Sequence, residues 1–309
     1  MSPTSVSDFL SKDTVAVLLV LLSYFVYSLG DASIKYTLSF YPIIPVLFLN
    51  CFFSVCFMLG YGLWRSGPSY FKTKKLKYHA FRGVLGLMSI FLSIYALKHT
   101  TLSEFYMMVF TSPLWIVVLS MLVMKEGFDI IRTIIVILGF GVIVYVFMPG
   151  GELDLDLGLL AALGAALFFA INVIFIRKYL QGEAAALLGG SNSAFMCLAV
   201  AGFALPMIDY HFLQHIHFFI FNGFCVFFAS LCLARAFQSV SHSVILAPIH
   251  YIQMIYGLVL GYFIFAEWPT SRTILGSMAL IALGLCLIWY DYTLKKREHK
   301  AYGASSAKS

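Results

Sequence analysis

Ten stretches of about 20 mostly apolar residues follow one another along this 309-residue chain, and they constrain its fold more than any other feature. A stretch of that length crosses the hydrocarbon core of a bilayer as a helix, which satisfies its own backbone hydrogen bonds. Only 11% of the residues are charged, against roughly 25% in soluble domains. The sequence therefore predicts an all-α integral membrane protein with ten transmembrane helices. The predicted spans are 14–36, 42–64, 79–98, 102–125, 131–148, 157–179, 184–207, 216–237, 243–266 and 271–291.

The positive charges predict how these spans are oriented. If residues 1–13 lie in the cytoplasm, only Lys35, Lys98 and Arg272 of the 20 Lys and Arg fall on the outer side. Cytoplasmic loops carry the excess of Lys and Arg in membrane proteins, so both termini are expected to be cytoplasmic. The basic tail, 292–309, is expected to be disordered. Because membrane topology explains the basic charge, no nucleic-acid partner is expected.

Short matches between the two halves of the chain predict an internal repeat. They recur at a nearly constant difference of 140 to 143 in residue number, which we call the repeat offset. The matches pair Ile34–Tyr36 with Arg177–Tyr179, Tyr95–Leu97 with Arg235–Phe237, Lys125–Glu126 with Ala266–Glu267, and Arg132–Thr133 with Arg272–Thr273. Each half, 14–148 and 157–291, holds five spans, and 149–156 forms an outer linker. An odd number of spans forces the halves to lie inverted with respect to each other. Inverted repeats are typical of transporters whose substrate site lies near the midplane, between the repeats.

Several motifs carry a resemblance to a known family. They are Asp31-Ala-Ser-Ile-Lys35-Tyr36, Arg82-Gly83, Tyr95-Ala96-Leu97, Pro113, Lys125-Glu126, Gly139-Phe-Gly141, Arg177-Lys178-Tyr179, Ala234-Arg235-Ala236, Ala266-Glu267 and Gly284. In their order and spacing, over residues 14–291, the chain resembles the drug/metabolite transporter superfamily, in particular bacterial proteins with two EamA-type domains. The resemblance implies ten helices, a central cavity lined by both halves, and transport of small metabolites across a bacterial inner membrane. The chain departs from the family pattern at Asn50, where relatives often carry Arg, and at Met254, where they usually carry Pro.

The expected function is transport of a small metabolite by alternating access, with an amino acid or a related polar or cationic compound as substrate. The resemblance also implies an alternative, an uptake carrier for S-adenosylmethionine or riboflavin, and the first half is most similar to S-adenosylmethionine uptake proteins. Expected partners are the substrate, the lipid bilayer and, for coupling, a proton or counter-substrate, in a monomer or homodimer. No cofactor is expected. The rival class is a membrane enzyme acting on a lipid-linked substrate. Asp154-Leu-Asp156 matches the D-x-D pattern of metal–nucleotide sites, but it has no soluble domain around it, so this class is disfavoured.

Polar residues inside predicted spans are the candidates for the substrate cavity, because such groups are costly in lipid and usually face a cavity or a partner. Asn50 and Asn192 are separated by the repeat offset and so occupy equivalent places in the two halves. They are expected either to grip a polar substrate or to hydrogen-bond between helices. The segment Gly189–Ser193 is expected either to unwind for a ligand or to pack closely through its small residues.

Two further groups complete the cavity candidates. Glu104, Thr111 and Trp115 lie on one face of the fourth span; the alternative for Glu104 is an interfacial carboxylate that is hydrated or paired with Lys98. In the ninth span, His250, Gln253 and Tyr256 recur every three residues, and Tyr27 adds an aromatic group from the first span. His250 is a candidate coupling group because His titrates near neutral pH, or else a structural histidine.

The remaining intramembrane charges are expected to be structural or to act as gates. Asp31 and Lys35 are four residues apart, a spacing that predicts an ion pair on one helix face. The other members of this group are Arg82, Glu126 and Glu267. His211, His215, His217 and Asp209 leave open a metal site on the outer face, although zinc needs three or four converging ligands.

Overall fold

The computed structural model of the chain describes residues 6–67, 73–125, 129–147, 156–181, 183, 185–239 and 247–306. Every regular element in these residues is helical. The helices are α1 (Val6–Thr37), α2 (Ile43–Ser66), α3 (Leu76–His99), α4 (Leu102–Val109), α5 (Ser112–Val123), α6 (Ile130–Phe147), α7 (Leu157–Tyr179), α8 (Ala185–Ala204), α9 (His211–Gln214), α10 (Ile216–Ser239), α11 (Ile252–Phe265) and α12 (Ser271–Ser306). Short 3₁₀ turns lie at Leu205–Met207 and Ala247–Tyr251.

Nine helical segments of the described residues are long and apolar enough to cross a membrane. They are Thr14–Thr37, Ile43–Arg65, Leu76–His99, Leu102–Val123, Ile130–Phe147, Leu157–Tyr179, Leu187–Met207, Ile216–Ala236 and Ser271–Tyr290. A shorter apolar helix covers Ile249–Phe265. It lies within the predicted span 243–266, whose first residues are outside the described part of the chain.

The expectation of a disordered C-terminal tail is wrong as far as Ser306, because α12 continues to that residue. Residues 292–306 include three Lys, two Ala, one Arg and one Glu, all of which favour a helix. It also extends a helix that already exists, so it needs no separate nucleation.

The predicted fourth span, 102–125, is not one continuous helix. α4 ends at Val109, Phe110 and Thr111 form a turn, and α5 begins at Ser112. Pro113 in the first turn of α5 lacks a backbone N–H, so it cannot bond to the preceding turn. The ninth span is also irregular, because the 3₁₀ turn Ala247–Tyr251, which contains Pro248, precedes α11. The two irregular places correspond, since His250 follows Phe110 by the repeat offset.

Helix packing is equivalent in the two halves. α1 packs along α10 in the way that α3 packs along α7. α2 with α10 corresponds to α3 with α8, and α11 with α1 corresponds to α4 and α5 with α7. Three further contacts join the equivalent helices of the two halves to each other: α2 with α8, α4 with α11, and α6 with α12.

The equivalence extends to single hydrogen bonds between helices. Ser23 of α1 donates to the Ala229 carbonyl of α10 at 2.8 Å. Ser89 of α3 donates to the Ala165 carbonyl of α7 at 3.1 Å. The repeat offset separates Ser89 from Ala229 and also Ser23 from Ala165, so the same pair of equivalent positions meets twice, and in both contacts the serine donor lies in the first half.

Close helix approaches through glycine are repeated in the same way. A methyl group on Gly83 would come within 2.5 Å of the Phe195 Cβ atom, and one on Gly223 within 2.6 Å of the Phe53 Cβ atom. Gly223 follows Gly83 by the repeat offset, and Phe195 follows Phe53 in the same way. Small residues permit such close contacts between helices in lipid, where packing replaces the hydrophobic effect.

A third pair of equivalent contacts lies at opposite ends of the helices. Arg82, early in α3, donates through Nε to Asn172 Oδ1 at 3.0 Å, late in α7. Asn222, early in α10, donates to the Gly30 carbonyl at 3.0 Å, late in α1. We call the end containing the C-terminal turns of α1 and α3 the Lys35 end, and the opposite end the Arg82 end.

Candidate functional site

One face of α1 carries Tyr24, Tyr27 and Asp31, which follow one another at helical spacings of three and four residues. The Tyr24 ring stacks on His250, with ring centroids 4.7 Å apart. The Tyr27 hydroxyl lies 2.7 Å from Ser230 Oγ of α10. Tyr24 and Tyr27, about 4.5 Å apart along the helix axis, therefore both meet the second half of the chain.

The two helix irregularities touch beside this face. The Phe110 ring, in the turn between α4 and α5, lies edge-on to His250 at 5.0 Å and tilted against Tyr251 at 5.3 Å. Phe110 and Tyr251 are buried, whereas His250 is only partly buried. The break in each half thus packs against the break in the other.

A carboxylate lies next to these rings. Asp31 Oδ2 accepts a 2.6 Å hydrogen bond from the hydroxyl of Tyr106 in α4, and Gln253 Nε2 lies 3.5 Å from that hydroxyl. The Tyr106 ring is buried against Gly257 so closely that a methyl group there would overlap it. We call Tyr24, Tyr27, Asp31, Tyr106, Phe110 and His250 the Asp31 cluster.

The predicted pairing of Asp31 with Lys35 is wrong, because each side chain has another partner. Lys35 Nζ lies 2.8 Å from Glu267 Oε1 and also donates to the Leu97 and Thr100 carbonyls. The other Glu267 oxygen, Oε2, accepts the Leu102 N–H at 2.8 Å. The pair therefore joins α1 to the loop between α11 and α12, one turn beyond Asp31. We call it the Lys35–Glu267 latch.

A left-handed residue positions the latch carboxylate. Ala266 ends α11 with φ 54°, and the Glu267 N–H then bonds to the Gly261 carbonyl at 3.0 Å. Lys125, which precedes Ala266 by the repeat offset, has the same φ of 54° after α5. A positive φ is uncommon for residues other than glycine, so the repeat preserves this turn in both halves. Glu126, the equivalent of Glu267, lies outside the described residues.

Arg82 has a structural environment at its own end. Besides Asn172, it donates to the Leu188 carbonyl at 2.5 Å. Nearby, His79 Nδ1 lies 2.8 Å from Ser191 Oγ, and His79 Nε2 lies 3.6 Å from Glu183. These contacts tie α3 to α7 and α8.

Asp129 links two more helices at the Arg82 end, outside the spans. Its carboxylate accepts the Ile131 and Arg132 N–H groups at 2.9 and 3.0 Å and the Tyr290 hydroxyl at 2.7 Å. Burial acts to raise the pKa of Asp129, but these hydrogen bonds and the Arg132 charge bring that pKa below its usual value. This carboxylate joins α6 to α12.

Asn50 and Asn192 lie on α2 and α8, which pack against each other. In the described part of the chain, Asn50 Nδ2 and Asn192 Oδ1 are both buried without a hydrogen-bond partner. The expectation that Gly189–Ser193 unwinds is wrong, because α8 is helical throughout. Close packing is found instead: a methyl group on Gly86 would meet Asn192 Oδ1 at 2.6 Å.

A cavity of about 170 Å³ lies between α2, α3 and α8. It is lined by Leu59, Thr73, Leu76, His79, Leu187, Gly190, Ser191, Ala194, Phe195 and Leu198. None of these belongs to the Asp31 cluster, and the lining is largely apolar. The cavity therefore lies apart from the concentration of polar and aromatic groups around Asp31.

The predicted face of Glu104, Thr111 and Trp115 is divided by the helix break. Glu104 Oε2 accepts from the Thr101 N–H and hydroxyl at 3.0 and 2.8 Å, forming a capping box for α4. Thr111 donates to the Met108 carbonyl at 2.7 Å. Trp115 Nε1 is buried with no partner among the described residues, and its ring meets Phe140 edge-on.

The remaining aromatic and histidine candidates have separate places. Tyr256 donates to the Leu21 carbonyl at 3.4 Å and so ties α11 to α1. His215 Nδ1 lies 2.7 Å from the Tyr41 hydroxyl, and the same hydroxyl bonds to the His211 carbonyl. Within the described ranges, no three His, Cys, Asp or Glu side chains converge as a metal site would require.

The sequence predicts Tyr27, His250 and Gln253 as cavity residues and Asp31 as a structural or gating charge, but it does not predict Tyr106 or Phe110. One signal was available, because Phe110 corresponds to His250 by the repeat offset. No sequence pattern, however, indicates that Lys35 pairs with Glu267 of the other half rather than with Asp31.

Comparison with known proteins gives matches along most of the chain. The sequence profile of the EamA-like transporter family matches twice, at residues 14–148 and 156–290. A protein named S-adenosylmethionine uptake transporter from Rickettsia felis is 25% identical over 288 residues, which is 91% of this chain and 95% of that protein. One of the same name from Rickettsia prowazekii is 24% identical over 289 residues, with the same two coverages.

A solved crystal structure has a similar fold. It matches with a TM-score of 0.54 at 16% sequence identity and covers 89% of this chain and 95% of its own. At that identity the likeness extends to the fold alone.

Proposed function

Because this chain belongs to the EamA-like transporter family, we propose that it carries a small metabolite across a bacterial inner membrane by alternating access. The carrier consists of two inverted five-helix repeats, residues 14–148 and 157–291, joined by the linker 149–156. The apolar helix Ile249–Phe265, with the residues before it, is the tenth span. Supporting this arrangement, equivalent contacts recur with the halves exchanged, and Arg82 and Asn222 make theirs at opposite ends.

The observation that carries the proposal is the contact between the two helix breaks. Phe110 of one half packs directly on His250 and Tyr251 of the other. Transporters built from inverted repeats place their substrate site near the midplane, between broken helices of the two repeats. The Asp31 cluster surrounds this contact, so it is the proposed substrate site, with Gln253 and Tyr256 beside it.

The charge distribution supports an orientation with the Lys35 end outside and both termini in the cytoplasm. A test uses fusions after Ser309. Fused green fluorescent protein is expected to fluoresce, and fused alkaline phosphatase to be inactive, because the latter needs the periplasm. An active phosphatase fusion would contradict this topology.

The names of the relatives support S-adenosylmethionine as substrate, taken up rather than exported. Its sulfonium centre, which leaves the molecule with a net positive charge, also suits a site with one carboxylate and several rings. Asn50 and Asn192 are proposed as additional substrate contacts, because each keeps a buried polar atom without a partner among the described residues.

Counterflow in liposomes tests the function. The purified full chain is reconstituted into liposomes loaded with unlabelled S-adenosylmethionine, and labelled S-adenosylmethionine is added outside. Transient accumulation of label above protein-free liposomes is expected. Unlabelled amino acids and riboflavin, added outside as competitors, distinguish the alternative substrates. No counterflow of any of these compounds would contradict the proposed function.

A further inference from the structure

Asp31 is a partly buried carboxylate that forms no ion pair among the described residues. In the described part of the chain, no Lys, Arg or His nitrogen lies within 4 Å of it. The lysine nearest in sequence, Lys35, is held by Glu267 and two carbonyls. A charged carboxylate withdrawn from water is costly unless it is paired. The site is thus one positive charge short of balance.

The groups around Asp31 favour a cation that has no hydrogen-bond donors. Tyr24, Tyr106, Phe110 and His250 contribute rings, linked by stacked or edge-on contacts from Tyr24 through His250 to Phe110 and by a tilted contact between Phe110 and Tyr106. Aromatic faces attract cations, including quaternary ammonium groups, through the ring quadrupole. The single described hydrogen bond to Asp31 comes from Tyr106 and uses one carboxylate oxygen, Oδ2.

The members of the cluster differ in how far they are buried. Tyr106 and Phe110 are buried, whereas Asp31, Tyr27 and His250 are only partly buried. At the Lys35 end, the Lys35–Glu267 latch lies one helical turn beyond Asp31.

From these contacts we infer that Asp31 and the rings of its cluster bind the positive centre of the transported molecule, a sulfonium or quaternary ammonium group. The carboxylate supplies the opposite charge, and the ring faces replace the water around a cation that cannot donate hydrogen bonds. This inference rests on the proposed function and names the chemical class of its substrate. It assigns Asp31 to substrate binding rather than to the gate.

Matched pairs of charged and neutral ligands test the inference. The first pair is S-adenosylmethionine and S-adenosylhomocysteine, which differ by a methyl group and the sulfonium charge. The second pair is choline and its neutral isostere 3,3-dimethylbutan-1-ol. Dissociation constants for all four are measured by calorimetry on the purified full chain. The wild type is expected to bind the charged member of at least one pair about tenfold more tightly.

Asp31→Asn is expected to abolish that preference while leaving affinity for the neutral member within about twofold. Asp156→Asn is the matched control, because Asp156 caps α7 away from the cluster and Asn caps a helix equally well. Tyr24→Leu removes a ring but keeps the carboxylate, and it should reduce the preference in part. This second variant also keeps the test decisive if Asp31→Asn does not fold.

The inference is overturned if the wild type shows no preference for the charged members, or binds none of the four probes. It is also overturned if Asp31→Asn, folded by its melting curve, keeps the wild-type preference and loses only a pH dependence; Asp31 would then be a proton site. Failure of S-adenosylmethionine counterflow, with discrimination in the choline pair intact, would refute the proposed substrate and leave the cation site standing.

Discussion

Glu267→Gln tests whether the Lys35–Glu267 latch holds the Lys35 end closed. The change preserves size and leaves an oxygen able to accept the Leu102 N–H, but it removes the negative charge beside Lys35. Lys35 keeps its bonds to the Leu97 and Thr100 carbonyls. The substitution therefore removes one ion pair and leaves the rest of the closed end in place.

The contact geometry gives the expected size of the effect. The nitrogen and oxygen are 2.8 Å apart, and the Lys35 and Glu267 side chains are only 12% and 16% exposed, so solvent screens the pair weakly. A hydrogen bond to a charged group contributes about 2 kcal/mol, which corresponds to about 30-fold in an equilibrium constant. We expect Glu267→Gln to shift the equilibrium between closed and open Lys35 ends toward the open state by about that factor.

The assay is a distance measurement between spin labels at Ser39 and Ser271. Both are exposed and lie at the Lys35 end, after α1 and at the start of α12. The labels are placed in a variant whose six native cysteines, all free thiols, are replaced. Double electron–electron resonance should show a longer-distance population that increases in Glu267→Gln.

Glu183→Gln provides the matched control, because Glu183 contacts Thr73 and His79 at the opposite end. It should leave the Ser39–Ser271 distances unchanged. Identical distance distributions in wild type and Glu267→Gln would refute the latch. Equal shifts in Glu267→Gln and Glu183→Gln would also refute it, since the effect would then not be local.

Two further predictions concern packing and binding. Gly257→Ala should displace the Tyr106 ring, lower the free energy of unfolding by about 1–3 kcal/mol and weaken substrate binding, as measured by a thermal melt and a binding titration. Gly202→Ala is the control, because a methyl group there meets open space, and it should change neither stability nor binding. Asn50→Ala and Asn192→Leu are each expected to abolish counterflow at normal expression, and normal transport by both would exclude them as substrate contacts.

The spans were predictable because lipid imposes a simple condition on the sequence. A segment such as 157–179 needs length and apolar side chains, and the observed helix, Leu157–Tyr179, begins and ends where predicted. Helix breaks were less predictable. Pro113 signalled a change of geometry, but whether a proline kinks, breaks or merely starts a helix depends on neighbours that satisfy the freed backbone groups.

The candidate site was only partly predictable, because partner choice inside a membrane depends on three-dimensional packing. Asp31 and Lys35 have a spacing that favours a pair, yet the turn at Ala266 brings Glu267 to Lys35 instead. Likewise, Glu104 has the form of a pathway charge, whereas its capping box with Thr101 explains its position at the start of α4. In both cases the deciding contact involves backbone geometry that residue types alone do not reveal.

The twofold occurrence of the Ser23–Ala229 and Ser89–Ala165 bonds has an energetic consequence. The long seams α1–α10 and α3–α7 each carry a serine-to-carbonyl bond at equivalent positions, so we expect loosening one seam while tightening the other to cost little net energy. A carrier needs such near-degeneracy, since two states that differ by several kcal/mol would not both be populated. The seams differ where Arg82 makes charged hydrogen bonds and its equivalent Asn222 makes a neutral one. The Lys35–Glu267 ion pair lies at the same end as the neutral Asn222 bond, and we expect it to offset part of this difference between the two ends.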